Sequence, residues 1–277
     1  MKHVYTNAFA FCFFALLFGC VHQGVAQDFV QSQGGRAAAF GGAMTTLQDD
    51  YAPLNNQAAL AFDTTYSAAV SATRRFWLNE LGENSLAISI PVGNGAIGVA
   101  TSYNGFSDYN RLLAGVGYGM KFSDKIGVGV QLDYLSQTIS EYGTEAAVTF
   151  EAGIQAQLLS TLWMGAHVFN PVKTKSGFYD NQYYANELSW GLMFQPTRNV
   201  ILVAEAVNRN YEKFGFKAGV EYLPVKAVAL RAGVNENEFA FGLGLRWKQF
   251  HLDLGSAYHR YLGISPTGSV VYAVGKK

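Results

Sequence analysis

Along most of this chain every second side chain is apolar. In Ile126-Gly127-Val128-Gly129-Val130-Gln131-Leu132-Asp133-Tyr134 one set reads Ile126, Val128, Val130, Leu132 and Tyr134, and the other Gly127, Gly129, Gln131 and Asp133. The alternation returns at 214–222 and 239–247. Successive side chains of a strand point to opposite faces, so each segment has an apolar face and a face of glycine and charge. Such segments, bounded by turn residues, lie near 64–74, 85–92, 95–103, 111–122, 125–136, 145–158, 161–170, 187–195, 199–208, 214–223, 227–235, 238–247, 249–259 and 268–275, fourteen in all. Most have the ~9–11 residues of a tilted membrane strand. These apolar faces exceed what one soluble core absorbs. The pattern therefore predicts an all-β fold, a transmembrane antiparallel up-and-down β-barrel with its apolar faces outward.

The connections test this independently. Gly93-Asn94, Ser123-Asp124, Ser160, 196–198, 224–226 and Lys248 are tight. Those of opposite parity, at 75–84, 104–110, 137–144, 171–186, 209–213, 236–237 and 260–267, are mostly longer. Short turns on one rim and long loops on the other match an outer-membrane barrel with both ends of the mature chain in the periplasm. Aromatics gather at the strand ends: Phe122, Phe194, Tyr222, Trp247 and Phe250 on the turn side, and Tyr103, Tyr134, Phe169, Phe214, Phe239 and Tyr258 on the loop side. They read as two interfacial girdles. The longest loop, with Phe178, Tyr179, Tyr183 and Tyr184, is expected to face outside.

The first residues break the pattern. Lys2 and His3 precede an apolar run from Ala8 to Gly19, and Gly24-Val25-Ala26 offers small residues for cleavage, so 1–26 reads as a signal peptide. Leu17-Phe18-Gly19-Cys20 competes as a lipobox that would leave Cys20 lipidated. Both cysteines, Cys12 and Cys20, precede Ala26, which leaves the mature chain no thiol for a disulfide, a metal site or a nucleophile. Lys and Arg number 20, as do Asp and Glu, and this balance does not suggest a nucleic-acid partner.

Outward apolar faces put Lys121, Gln131, Asp133, Glu151, Gln155, Lys217, Glu221, Arg231, Arg246, His251 and Asp253 in the lumen. Mixed signs in an enclosed space predict a paired charge network, built on Lys121, Asp133, Glu151, Lys217, Glu221, Arg231, Arg246 and Asp253. Their neighbours are largely glycine, which leaves room for something against the inner wall. The candidate filler is 27–63, rich in small residues and without alternation, ahead of the barrel at 64–277. It is read as a plug of the periplasmic mouth, carried by Arg36, Asp49, Asp50, Asn55 and Asn56, with Arg36, Asp49 and Asp50 meeting lumen charges.

Gly34-Gly35-Arg36-Ala37-Ala38-Ala39-Phe40-Gly41-Gly42-Ala43, Asp49-Asp50 and Asn56-Gln57-Ala58-Ala59-Leu60-Ala61 resemble the opening of the PorV/PorQ group of FadL-like outer-membrane barrels. Gly219-Val220-Glu221-Tyr222-Leu223-Pro224 with Leu230-Arg231-Ala232-Gly233 is similar to a hairpin of that group. Gln57 departs from its usual proline. The chain is also shorter, and it does not end on an aromatic residue. The resemblance implies a component or accessory partner of a type IX-like secretion or surface-assembly machine. Its partners would be outer-membrane lipid and other secretion-system or outer-membrane proteins. An alternative is a FadL-like transporter of small hydrophobic molecules, for which Pro91 is a candidate site of a wall gap and against which the charged lumen counts. An enzyme is not expected: Ser256 and His259 fall on opposite strand faces, so no catalytic residue is assigned, and no cofactor or metal is called for.

Overall fold

The computed structural model describes residues 34–176, 183–210 and 214–275. The leader expected over 1–26 and the loop residues Phe178 and Tyr179 lie outside these. Fourteen strands form: β1 (Tyr66–Arg74), β2 (Gly82–Val92), β3 (Gly95–Gly105), β4 (Tyr109–Ser123), β5 (Ile126–Ile139), β6 (Gly143–Leu159), β7 (Leu162–Phe169), β8 (Glu187–Thr197), β9 (Val200–Arg209), β10 (Phe214–Val225), β11 (Val228–Asn235), β12 (Glu238–Trp247), β13 (Phe250–His259) and β14 (Gly263–Val274). Each pairs antiparallel with its sequence neighbours, and β1 pairs with β14 to close the barrel. Closure removes every sheet edge, which is what lets strands cross a bilayer.

On one rim every connection is a two-residue turn, at 93–94, 124–125, 160–161, 198–199, 226–227 and 248–249. Register shifts beside four of these turns, at Lys121/Ser123, Gln157/Leu159, Phe194/Thr197 and Tyr222/Val225, tighten the local twist. Strands β4 to β6 have 15, 14 and 17 residues, so they outrun the bilayer and shorten the loops expected at 104–110 and 137–144 to 106–108 and 140–142. Pro91 sits next to a tight turn, in register with Ala96, and the β2–β3 ladder continues past it to Val92 and Gly95. It opens no gap.

The outward sets are exposed as alternation requires: Val130, Leu132, Phe216 and Phe241 at mid-wall, Phe122 and Trp247 at the turn rim, Phe239 and Tyr258 at the loop rim. Two aromatics correct the expected girdle and loop. Phe169 is buried, because β7 gives it the parity of His167 and turns it inward. Tyr184, expected outside, is 1% exposed and folds into the barrel.

The segment 34–62 also lies inside the barrel. It contains α1 (Gly34–Ala39), α2 (Ala52–Asn55) and a 3-10 turn (Gln57–Phe62). Pro53 in the first turn of α2 loses no helical hydrogen bond there. The Asn56 side chain accepts from the Ala58 N–H at 3.1 Å and starts the next turn. The path follows glycines on the wall. A Cβ on Gly255 would meet the Gly35 carbonyl oxygen at 2.5 Å, one on Gly98 the Leu60 side chain at 2.7 Å, and one on Gly165 the Thr45 carbonyl oxygen at 2.9 Å. Gly219, Gly233, Gly153, Gly119 and Gly129 are likewise closed off by Phe40, Gly41, Asn56 and Gln57. The segment thus runs past strands β13 to β3 along the inner wall.

Candidate functional site: the lumen and its occupant

The occupant turns sharply at Gly41 and Gly42, whose φ values of +68° and +85° suit glycine. A Cβ on Gly41 would also strike the backbone of Val234. The wall holds this turn by its free polar groups. Asn235 Nδ2 donates to the Gly41 carbonyl at 3.1 Å and Lys217 Nζ to the Gly42 carbonyl at 3.0 Å. Glu205 accepts from the Met44 and Thr45 N–H groups, both at 2.8 Å, and pairs with Lys217 at 2.8 Å. Thr45 Oγ1 donates to Ser189 Oγ at 2.9 Å.

A chain of ions crosses from occupant to wall. Arg36 donates from Nε and an Nη to the two oxygens of Glu221, each at 3.1 Å, and lies 3.5 Å from Asp49. Glu221 also accepts from Arg231 at 2.6 Å, and Arg231 donates to Asp253 at 2.5 Å. Asp50 lies 3.8 Å from His251. Burial alone would lower the Arg36 pKa; Glu221 and Asp49 outweigh it and hold the guanidinium charged. Burial raises the Asp49 carboxyl above its ordinary 3.8, against the pull of Arg36.

Of the eight charges expected to form one network, Glu221, Arg231 and Asp253 join Arg36 here, while Lys217 holds the turn with Glu205. Asp133 and Glu151 stand apart, in a buried polar seam with the occupant. Gln57 Nε2 donates to Glu151 at 2.6 Å, His167 Nε2 lies 2.9 Å from the same oxygen, and Gln131 donates to Asp133 at 2.8 Å. Asn56 Nδ2 donates to the Thr45 carbonyl at 2.7 Å, and Asn55 is buried beside it. Lys121 and Arg246 have the inward parity but sit at the tight-turn rim, partly or fully exposed and outside these ion pairs. Strand ends reach past the occupant, so inward parity there means solvent.

The interior is not charged throughout. Phe40, Met44 and Leu47 of the occupant pack with Leu113, Leu135, Phe169, Met193 and Val203 of the wall and with Tyr184 of the long loop. This apolar pocket takes its wall residues from β4 to β9 and reaches the ion chain at Phe40, whose ring centroid lies 5.7 Å from the Arg36 guanidinium carbon, and it corrects the reading of a wholly charged lumen. On the loop side of α1 is a cavity of about 460 Å³, lined by groups including Arg75, Glu83, Lys217, Asn235 and His259. Sequence reasoning did not single out Glu205 or the apolar pocket, and it marked Gln57 only as a departure from the group's usual proline. Glu205 sits in the run Val200-Ile201-Leu202-Val203-Ala204-Glu205-Ala206-Val207, apolar on both faces. One charge in such a strand was the available signal.

No family model matches the chain, and no curated protein matches it in sequence. Solved structures match in fold. The Pseudomonas putida toluene transporter TodX superposes with a TM-score of 0.68 at 12% identity, covering 91% of this chain and 99% of its own. The Ralstonia pickettii toluene transporter TbuX gives 0.65 at 10% identity, with 88% and 98% covered. A Pseudomonas aeruginosa FadL homologue gives 0.61 at 11%, with 91% and 98% covered. The fold is that of FadL-type barrels.

Proposed function

We propose that this chain is an outer-membrane channel for small hydrophobic molecules, with segment 34–62 as a displaceable plug. The carrying observation is the apolar pocket inside the lumen, filled by the plug's own Phe40, Met44 and Leu47. Those side chains occupy the volume and chemistry that an apolar solute of similar size would take. The toluene transporters TodX and TbuX support the same reading through their shared fold. Polar groups fix the plug along its length, at Gly35, Arg36, the turn at 41–45, Tyr51 and Gln57, so passage requires these hydrogen bonds and ion pairs to break together. The reading is non-enzymatic, requires no cofactor, and places the barrel in outer-membrane lipid after removal of a leader.

The test is uptake of radiolabelled toluene by cells in which this barrel is the only added outer-membrane protein. Uptake above the empty-vector control is expected. No increase, with the barrel folded and inserted, would sink the proposal. The resemblance of 34–61 to the PorV/PorQ opening carries a second reading, a partner in a secretion machine. Mild-detergent purification that recovers a large secretion complex would favour it; a lone barrel favours transport.

A further inference from the structure

We propose that the solute of this barrel carries a neutral amide on an apolar body, and that it is selected by the groups that hold the plug's turn at 40–45. The inference rests on the transport reading above and narrows its solute. The turn is the lumen's resident ligand, and each of its bonds defines what must replace it. Its two acceptors are the Gly41 and Gly42 carbonyls, which receive Asn235 Nδ2 at 3.1 Å and Lys217 Nζ at 3.0 Å. Its two donors are the Met44 and Thr45 N–H groups, both directed at Glu205 Oε2 at 2.8 Å. Its apolar part is Phe40 and Met44, packed in the pocket with Leu135, Phe169 and Val203. One short stretch therefore presents peptide oxygen, peptide N–H and hydrocarbon side by side.

A solute that displaces the plug without matching this turn strands polar groups of the wall. Glu205 is 4% exposed; it keeps Lys217 at 2.8 Å but loses both N–H donors. A hydrocarbon fills the pocket and satisfies neither Glu205 nor the two wall donors, and each buried group left unmet is costly. A carboxylate fits no better. Lys217 is already paired with Glu205, and Arg209 with Glu187, so the wall offers no uncompensated positive charge and Glu205 repels a second anion. A neutral amide meets both demands, with its oxygen turned to Lys217 or Asn235 and its N–H to Glu205. The approach is also present in the fold. Gly41, Gly42, Lys217 and Asn235 all line the cavity of about 460 Å³ on the loop side of α1, so a solute in that cavity meets the turn and both of its wall donors.

The experiment compares three radiolabelled probes in cells in which this barrel is the only added outer-membrane protein. They are N-methylbenzamide, propylbenzene (similar in size but without the amide) and benzoate. Above the empty-vector control, uptake of N-methylbenzamide should be roughly tenfold faster than that of propylbenzene, the factor expected for about one unmet hydrogen bond. Benzoate should stay at the control level. Equal uptake of the two neutral probes would overturn the proposal and leave the transport reading standing, whereas no uptake of any probe would overturn both. Glu205→Leu with Lys217→Met removes the ion pair without stranding either charge. It should bring the ratio of the two neutral probes towards one, even where a loosened plug raises both rates. An unchanged ratio in that folded variant would overturn the assignment to these groups, as would benzoate uptake that matches the amide. If the variant does not fold, the wild-type comparison decides alone.

Discussion

Gly233 has no side chain because the backbone of Phe40 and Gly41 occupies the place of one. Gly233→Val should therefore cost about 1–3 kcal/mol of plug docking, the usual range for overpacking. Limited proteolysis should then cleave 34–62 faster than in the wild type; an equal rate would show that the glycine serves only wall curvature. Asp49 makes a prediction of opposite character. Its folded pKa is raised above 3.8 by burial, so its contribution to stability is fully present below about pH 4 and is lost as pH rises through the elevated folded value. Asp49→Asn should remove that dependence and leave stability at neutral pH unchanged or improved, despite the loss of the contact to Arg36. A large destabilisation at pH 7, followed by thermal unfolding in detergent, would show that the Arg36 contact dominates.

Among the elements, strands and plug differ in how far they could be read in advance. All fourteen strands were legible because lipid on one side and an enclosed lumen on the other impose a period of two on each. The plug's presence was legible from its lack of that period and from the glycines opposite it, but its path was not. Arg36 meets Glu221 across 185 residues of chain, and no local pattern encodes such a pairing. The apolar pocket was hidden for a related reason: Leu113 and Leu135 share their inward faces with glycine, Gln131 and Asp133, and Val203 lies in a run apolar on both faces, so no single strand displays it. The Arg36–Glu221–Arg231–Asp253 chain makes its own prediction. Glu221 is 1% exposed and serves two arginines, so Glu221→Ala should cost about 3–5 kcal/mol by stranding buried positive charge. A double-mutant cycle with Arg36→Ala would separate the plug's share from the wall's, and a coupling near zero would mean that Arg36 does not hold the plug.

For the molecule as a whole, transport through this lumen requires the plug to move, and one pair of hydroxyls offers a way to stop it. Thr45 and Ser189 place their oxygens 2.9 Å apart across the seam between plug and β8. Both natural cysteines precede the expected cleavage site, so Thr45→Cys with Ser189→Cys introduces the only thiols of the mature chain. Oxidation should abolish solute uptake and reduction should restore it; uptake unaffected by the tether would mean that the path avoids the plug. The topology also fixes a timetable. Thirteen of the fourteen strand pairings join sequence neighbours, mostly through short connections, and only β1 with β14 joins the two ends of the barrel. Local pairings form early and remote ones late, so that seam is the last to zip. The plug precedes β1 in the chain yet rests on β13, with the Gly35 N–H donating to Ser269 of β14 at 3.0 Å. Its docking must therefore wait for the final hairpin, and a nascent barrel stalled before closure would still carry its stopper undocked.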